Sequence, residues 1–252
     1  MTSARSSLAA LADLALPLTC ASCHGPGSAV CPECLAAVHS VVWPCPRPVR
    51  PSPCPDRLPR VWAAAAFEGP LAGVVAAYKD DGRRDLAPLL AGLLEGAVDG
   101  AVRGAPELRR ALAAGNGPVL VVPVPSSASA RRRRGDFPLA RLATLACDGF
   151  GPGEVVTADA LRLRRRVADQ AGLGARERQV NLEHAMQVRE RWWPVVARAS
   201  CLLVDDVLTT GATLVEAARA LHAGGARTVV AATMCATSRR GGAPGRLAAD
   251  SR

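Results

Sequence analysis

Residues 201–213 read Cys-Leu-Leu-Val-Asp-Asp-Val-Leu-Thr-Thr-Gly-Ala-Thr, and they decide the fold of this chain. An apolar run ends in two adjacent carboxylates, Asp205 and Asp206, and a turn rich in Thr and Gly then enters a second apolar stretch. In an open parallel sheet, ligands bind where the strands end, and the N-terminus of the next helix offers unpaired N–H groups to an anion. The stretch therefore predicts a strand, a phosphate-binding loop and a helix.

The candidate phosphate loop consists of Thr209, Thr210, Gly211, Ala212 and Thr213. Its hydroxyls and amides are donors, and glycine lets the backbone close around an anion. The two carboxylates before it cannot bind phosphate, but they can accept hydrogen bonds from ribose hydroxyls and offset positive charge on the sugar. The stretch contains no Gly-Lys-Ser/Thr and no G-x-G-x-x-G, which excludes a Walker loop and a dinucleotide-binding loop. An acidic capping turn without a ligand is the structural alternative.

Apolar segments with alternating strand and helix patterns surround this stretch. We predict strands at residues 61–67, 118–124, 201–207 and 227–234 and helices at residues 70–78, 84–102, 138–147 and 213–223. Such alternation is typical of an α/β fold with a mostly parallel central sheet. The predicted domains are an N-terminal module that includes a helix at 6–16 (residues 1–59), an α/β domain (residues 60–238) and a disordered tail (residues 239–252).

The N-terminal module carries two C-x2-C pairs, Cys20 with Cys23 and Cys31 with Cys34. Four thiolates brought together in this way complete the tetrahedral shell that zinc prefers, and a site without an open position is structural. The surrounding segment is dense in Cys and Pro and cannot build a hydrophobic core, so zinc would hold it together as a compact knuckle. Free thiols and a redox pair are the alternatives. The other cysteines are Cys45 and Cys54, either further ligands or unliganded thiols, and the predicted core residues Cys147, Cys201 and Cys235.

The composition is that of a folded chain and excludes the disordered and fibrous classes, since 49% of the 252 residues are hydrophobic and 21% are charged. A net charge of +9 favours anionic partners, whereas an aromatic content of 3% argues against a stacking platform for single-stranded nucleic acid. No apolar run is long enough to cross a bilayer, and we expect a cytoplasmic protein without stable membrane insertion. Lys79 is the single lysine in an arginine-rich chain, and either chance or function retains it.

Residues 201–213 resemble the phosphoribosyl pyrophosphate (PRPP) motif of type I phosphoribosyltransferases. Further motifs extend the resemblance over nearly the whole chain and are similar to those of the ComF family of competence proteins. They are the two Cys pairs, Tyr78-Lys79 followed by Gly82, Val122-Pro-Val-Pro125, and Gln170-x2-Leu173-x3-Glu177-Arg178-x2-Asn181. The resemblance implies a type I phosphoribosyltransferase-like fold behind a zinc module. It also implies that the protein binds PRPP with Mg²⁺, that it transfers the phosphoribosyl group to an unidentified acceptor, and that Asp205 and Asp206 are catalytic.

Other site residues follow from the resemblance alone. It implies that the loop after residue 122 binds the diphosphate and that residues 161–188 form a hood over the ligand. The implied diphosphate and hood residues are Lys79, Ser126, Arg131, Arg134, Gln170, Arg178 and Asn181. Relatives often read Arg-Gly-Phe-Asn-Gln where this chain reads Arg-Gly-Asp-Phe-Pro at residues 134–138, so two amides are missing here. The alternatives are a solvated basic turn for the arginines and a surface side chain for Lys79.

The ComF resemblance also implies a second function from a different class. In that reading the protein is a non-catalytic accessory protein of DNA uptake, and the fold serves as a PRPP-responsive binding or adaptor module. Its partners would be single-stranded DNA or DNA-uptake proteins. The positive charge suits nucleic acid and PRPP equally, so electrostatics alone do not decide between the two readings.

Overall fold

A computed structural model of the protein describes residues 18–115, 117–125, 138–151, 153–164 and 184–237. The strands are β1 (Val42–Val49), β2 (Val61–Ala66), β3 (Val119–Pro123), β4 (Val155–Thr157), β5 (Leu161–Leu163), β6 (Met186–Val188), β7 (Ser200–Leu208) and β8 (Thr228–Ala236). The α-helices are α1 (Pro32–Val41), α2 (Gly69–Asp80), α3 (Ala87–Gly104), α4 (Pro106–Ala113), α5 (Pro138–Cys147), α6 (Trp193–Val196) and α7 (Ala212–Ala223). Short 3₁₀ helices, Arg84–Leu86 and Glu190–Trp192, precede α3 and α6.

Six strands form the central sheet in the order β1-β2-β8-β7-β3-β4, and β5 pairs with β6 in a separate antiparallel hairpin. Neighbouring strands of the large sheet run parallel, except that β1 is antiparallel to β2. The first five residues of β7 are buried, as expected for an inner strand of a parallel sheet. The predicted fold class is therefore confirmed, and the carboxyl end of β7 lies in the middle of the edge where such sheets bind ligands.

Most of the predicted elements occur where the sequence analysis placed them. Helix α5 has the predicted bounds, and β2, β3, β7, β8, α2 and α7 agree with the prediction within about two residues at either end. The predicted helix at residues 84–102 begins as a 3₁₀ helix and continues as α3. The elements that the sequence analysis missed are the proline-rich strand β1, the short elements β4, β5, β6 and α6, and the helices α1 and α4.

The edge strand β1 is built from a proline-rich segment in which no strand was predicted. Pro44, Pro46 and Pro48 occupy alternate positions of the strand. Proline cannot donate a hydrogen bond to a neighbouring strand, so it is tolerated at a sheet edge, where it also blocks pairing with another chain. A strand from the predicted N-terminal module thus belongs to the main sheet.

Glycines on α3 let this helix approach the sheet closely. A Cβ at Gly100 would lie 2.7 Å from the Cβ of Pro46, and a Cβ at Gly104 would lie 2.9 Å from Nε1 of Trp62. Trp62 itself is buried in a core that consists mainly of Ala, Val and Leu. Because the chain has few large side chains, close packing requires the backbones of helix and sheet to lie near each other.

None of the described helices is both long enough and apolar enough to cross a bilayer. The predicted helix at residues 6–16 and the predicted tail at residues 239–252 lie outside the described residues.

Replacing Gly100 with Ala tests the close approach of α3 to β1. Helix propensity alone would make this exchange stabilising by about 1 kcal/mol. We expect destabilisation by about 1–3 kcal/mol instead, because the new methyl group overlaps the rigid ring of Pro46. Gly92→Ala is the matched control in the same helix, since a Cβ there has no neighbour within 4 Å, and this variant should be stabilised. Urea unfolding measures both, and equal stability of the two variants would contradict the packing described here.

Candidate functional site

The carboxyl end of β7 presents two adjacent acidic side chains. Asp205 and Asp206 are partly buried, and they follow five buried residues of the strand. Asp205 Oδ1 accepts a hydrogen bond from the Asp206 amide at 2.9 Å, and Asp206 Oδ1 accepts one from the Val207 amide at 2.8 Å. These bonds use one oxygen of each carboxylate and fix its orientation at the end of the strand.

Lys79, in the last turn of α2, is the counter-ion of this acidic pair. Its Nζ lies 2.5 Å from Asp206 Oδ2, and its side chain is half-exposed. Desolvation lowers the pKa of Lys79, but the charges of Asp206 and Asp205 raise it above its ordinary value overall. The ammonium therefore stays charged at neutral pH. The lysine that the sequence singled out thus lies against the predicted catalytic carboxylates.

Among the described residues the two carboxylates share one ammonium, so in this part of the chain one negative charge is unbalanced. Desolvation and the neighbouring charge of Asp206 raise the pKa of Asp205 to about 7, although Lys79 partly offsets this rise. Asp205 is consequently about half protonated near neutral pH. A ligand that donates hydrogen bonds to this carboxylate, or that carries positive charge beside it, would convert it to the charged form.

The predicted phosphate loop leads directly from β7 into α7. Gly211 has a φ of 80°, in the left-handed region that glycine adopts readily. The first hydrogen bond of the helix runs from the Val215 amide to the Gly211 carbonyl, so the amides of residues 212–214 have no partner within the helix. The Thr210 hydroxyl lies 3.5 Å from the Ala212 amide. The positive end of the α7 dipole therefore lies beside the acidic pair and can hold an anion. The remaining loop threonines are the exposed Thr209 and the half-buried Thr213.

Residues 55–58 pack against this loop, which the sequence analysis did not anticipate. A Cβ at Gly211 would lie 2.8 Å from Leu58 Cδ1 and 3.5 Å from Pro55 Cγ. The positive φ therefore favours glycine at residue 211, and a larger side chain there would also have to displace the Leu58 methyl group. A single leucine in a proline-rich segment gives no signal for such a long-range contact.

Cys235, on β8, borders the acidic pair from within the core. Its Sγ lies 3.8 Å from the backbone carbonyl of Asp206, and the residue is fully buried. Burial and the charge of Asp206 raise the pKa of the Cys235 thiol well above its ordinary value, so it stays protonated. The sequence identified this cysteine as a core residue but gave no indication that it lies beside the site.

Tyr78, next to Lys79, connects the end of α2 with the beginning of α5. Its hydroxyl donates a hydrogen bond to the Pro138 carbonyl at 3.1 Å. The Arg84 guanidinium stacks over the Tyr78 ring, 4.8 Å from its centre, and donates a hydrogen bond to the Tyr78 carbonyl. The buried tyrosine therefore fixes the backbone from which Lys79 projects.

The four cysteines of the predicted metal site lie together near the N-terminus. Their sulfurs are all within 4.8 Å of one another, and Cys23 Sγ lies 3.7 Å from Cys31 Sγ. With zinc–sulfur bonds of about 2.3 Å, neighbouring sulfurs of a tetrahedron are about 3.8 Å apart, so the cluster could bind a structural zinc ion. Burial raises the pKa of Cys20, but amide hydrogen bonds, the strongest from Cys31, lower it overall to about 6. This favours the thiolate that a metal ion requires at Cys20, whereas neighbouring side chains and burial raise the pKa of Cys31 and of Cys34, so a bound metal ion would have to displace the protons of those two thiols. The cluster consists of Cys20, Cys23, Cys31 and Cys34.

The remaining thiols are separate from this cluster. Cys45 and Cys54 are exposed and do not belong to the group of described residues that could share a metal ion. Cys201 and Cys235 are buried core residues, as predicted, and Cys147 is half-buried.

Several predicted site residues fall outside the described part of the chain, so their roles in the diphosphate loop and the hood stay predictions. They are Ser126, Arg131, Arg134, Gln170, Arg178 and Asn181. The described ends of the predicted hood segment form the β5–β6 hairpin, which is attached to α7. Glu216 accepts a hydrogen bond from the Met186 amide at 2.8 Å, and Arg219 donates one to the Met186 carbonyl at 2.9 Å.

Comparison with protein families agrees with this geometry. A family model described as the phosphoribosyl transferase domain matches residues 167–247. The match covers about a third of the chain and indicates a phosphoribosyl transferase domain at these residues. The matched residues include both carboxylates, the phosphate loop, α7 and β8. A search of curated proteins found no match to the chain, and the resemblance to the ComF family stays a prediction.

The raised pKa of Asp205 predicts a specific dependence of stability on pH. Its pKa of about 7 lies above the ordinary value of 3.8, so between these two pH values the folded protein binds more protons than the unfolded chain. The contribution of Asp205 to the free energy of unfolding therefore falls as the pH rises from 4 to 7. Asn at this position cannot ionise, so the Asp205→Asn variant does not lose this stability as the pH rises. We expect the melting temperature of Asp205→Asn, relative to the wild type, to increase between acidic and neutral pH.

Thermal unfolding of both proteins across this pH range measures the difference. Asp99→Asn, which removes an exposed carboxylate of α3 that pairs with Arg103, is the matched control and should show no such rise. A constant difference between Asp205→Asn and the wild type would show that Asp205 titrates in its ordinary range.

Proposed function

We propose that this protein binds PRPP together with Mg²⁺ and transfers the phosphoribosyl group to a nucleophilic acceptor. One observation carries the proposal. The acidic pair at the end of β7, with Lys79 as its counter-ion, lies directly beside the N-terminus of α7. The residue before this helix, Gly211, has the left-handed backbone conformation. A sugar phosphate requires both parts, because its hydroxyls need acceptors and its phosphate needs amide donors. The phosphoribosyl transferase domain at residues 167–247 supports the same substrate class.

In this proposal the phosphate loop holds the 5′-phosphate of PRPP. The amides of residues 212–214 have no partner within the helix and lie at the positive end of its dipole. The Ala212 amide donates a hydrogen bond to Thr210 Oγ1 at 3.5 Å, so the hydroxyl lies next to these amides and its own O–H can donate to the phosphate. The contact of Leu58 with Gly211 holds the loop in this shape and excludes water from one side of it.

Asp205 and Asp206 hold the ribose in this proposal. Each carboxylate has one oxygen bound to the next backbone amide, and the remaining acceptor capacity suits the vicinal hydroxyls of ribose. When the bond from C1′ to the diphosphate breaks, positive charge develops on the sugar, and the unbalanced negative charge of the acidic pair stabilises it. The diphosphate leaves with the electron pair of the C1′–O bond, a lone pair of the acceptor nitrogen forms the new bond to C1′, and the acceptor gives its proton to water.

Mg²⁺ would neutralise the charge of the departing diphosphate, so the protein needs no general acid at the leaving group. Lys79 lies beside Asp206 and keeps the acidic pair oriented before the substrate arrives. On the basis of the sequence alone, we also propose that Arg131 and Arg134 bind the diphosphate through bidentate hydrogen bonds.

We further propose that the four-cysteine cluster binds zinc and that the protein is a member of the ComF family. The combination of a cysteine cluster with a phosphoribosyl transferase domain supports this finer assignment. A DNA-uptake role rests on the family resemblance and the net charge of +9, and that charge serves PRPP equally well. Transfer of the phosphoribosyl group is therefore the function that the site supports best.

Calorimetric titration of the full chain with PRPP and Mg²⁺ near pH 7 tests the proposal. Binding converts the partly protonated Asp205 to the carboxylate, so we expect release of about half a proton, seen as a dependence of the heat on the buffer. Asp206→Asn should weaken PRPP binding at least about tenfold, because a charge-assisted hydrogen bond contributes about 1.5–3 kcal/mol. Asp205→Asn should abolish the proton release.

Asp99→Asn serves as the control, since it also removes one carboxylate but lies on the exposed face of α3, where Arg103 is its partner. It should bind PRPP like the wild type. The proposed function would be refuted if the folded wild-type protein bound no PRPP at millimolar concentrations. Equal affinity of the wild type and Asp206→Asn would refute the role of the acidic pair.

A further inference from the structure

Helix α2 connects the cysteine knuckle, residues 18–34, with the acidic pair. Its last turn carries Lys79, which lies 2.5 Å from Asp206. The knuckle contacts the same helix in its middle and just after its end, through Gly73 and Arg83. The distance along the helix from Gly73 to Lys79 is about 9 Å, at about 1.5 Å per residue, so these contacts lie within two turns of the lysine.

Gly73 allows the knuckle backbone to lie directly on α2. A Cβ at this position would lie 3.2 Å from the Cα of Ser22 and 3.3 Å from the carbonyl oxygen of Ala21. Both neighbours are backbone atoms, which cannot move aside as a flexible side chain can. Ala21 is also buried in the main core. The position of α2 therefore depends on the position of the knuckle backbone between Cys20 and Cys23.

Arg83 attaches the end of α2 to the knuckle by a directed hydrogen bond. Its Nη1 donates to the Thr19 carbonyl at 2.8 Å, and its Nε and Nη2 form a bidentate pair with Asp85 at 3.0 and 2.7 Å. Asp85 thus fixes the plane of the guanidinium while the third nitrogen reaches the residue just before Cys20. This bond spans 64 residues of sequence and is half-buried.

We expect the contacts between the knuckle and α2 to depend on a metal ion bound by the four cysteines. Residues 18–30 are held by one isolated β-bridge, between Thr19 and Pro26, and by a few backbone hydrogen bonds such as that from the Ala21 amide to the Ala29 carbonyl, and a metal ion bound by the four thiolates would add the main constraint on their conformation. Without such an ion, the Thr19 carbonyl and the Ser22 backbone have no covalent or metal constraint that keeps them against α2. Tyr78 would still hold the backbone next to Lys79 through its bond to Pro138, but the end of α2 would lose the constraint made through Arg83, and the half-exposed lysine side chain would spend less time on Asp206.

We propose that the cysteine knuckle, with its metal ion bound, positions Lys79 on Asp206 through α2, so that metal occupancy of the four cysteines controls the affinity of the acidic pair for PRPP. Gly73 and Arg83 are the positioning residues of this connection. The inference rests on the proposed function and adds to it a regulation of the PRPP site. A knuckle that only stabilises the fold would not change the charge environment of Asp205.

The first experiment is a mutant cycle on the zinc-loaded full chain. Arg83→Met removes the bond to Thr19 and should weaken PRPP binding roughly fivefold or more. It should also raise the pKa of Asp205, measured from its carboxyl carbon by NMR, because the compensating charge of Lys79 moves away. In the Lys79→Met background, Arg83→Met should cause no further change in either quantity. Arg103→Met, which removes an exposed arginine of α3, is the control and should change neither.

Metal removal is the second experiment. Chelation of zinc from the wild type, with folding checked by circular dichroism, should reproduce the loss of affinity and the rise in the pKa of Asp205. The same treatment of Arg83→Met should add little, because the connection is already broken. Metal-free protein that is folded and keeps both wild-type values would overturn the proposal.

The two readouts separate this inference from the proposed function. If the wild type binds no PRPP, the proposed function fails, and the pKa of Asp205 still decides whether the knuckle positions Lys79. A pKa shift that persists in the Lys79→Met background would overturn the inference even if PRPP binds. If Arg83→Met does not fold, Gly73→Ala replaces it, since its new methyl group pushes the Ser22 backbone away from α2.

Discussion

An unbalanced negative charge at the carboxyl end of β7 constrains the rest of this molecule. Asp205 and Asp206 are adjacent in sequence and partly buried, and in the part of the chain that the structure describes Lys79 is the cation that lies against them. Repulsion between two desolvated carboxylates raises the free energy of the folded state, so the protein retains this pair at a cost in stability. A sugar that develops positive charge relieves the repulsion, which explains why the pair is useful at a site for sugar transfer.

The surrounding structure holds these charges with small residues and close backbone contacts. Gly100 and Gly104 let α3 approach β1 and β2, Gly73 lets the knuckle lie on α2, and Gly211 lets Leu58 cover the phosphate loop. The contacts of Gly100, Gly73 and Gly211 each join a segment before residue 60 to the α/β domain, and that of Gly104 packs α3 on β2. The N-terminal segment is therefore part of the architecture that positions the site, through β1, Leu58 and Arg83.

The sequence was sufficient to predict the central sheet and the local form of the site, because both depend on patterns within short segments. The apolar run before Asp205 and the glycine at residue 211 specify β7, the loop and α7 without long-range information. Strand β1 was not predicted because it contains prolines, and proline within a segment argues against a strand unless the position of the segment in the sheet is known. Three contacts of the site join residues that are far apart in sequence, and the periodicity of a single segment cannot predict such partners. They are the contacts of Lys79 with Asp206, of Leu58 with Gly211 and of Arg83 with Thr19.

The most direct test of this account is a crystal structure of the zinc-loaded protein with PRPP and Mg²⁺. We expect the 5′-phosphate on the amides of residues 212–214, the ribose hydroxyls on Asp205 and Asp206, and Lys79 still beside the acidic pair. A phosphate bound elsewhere while this loop is occupied by Leu58, or a ribose that does not touch the two carboxylates, would contradict it.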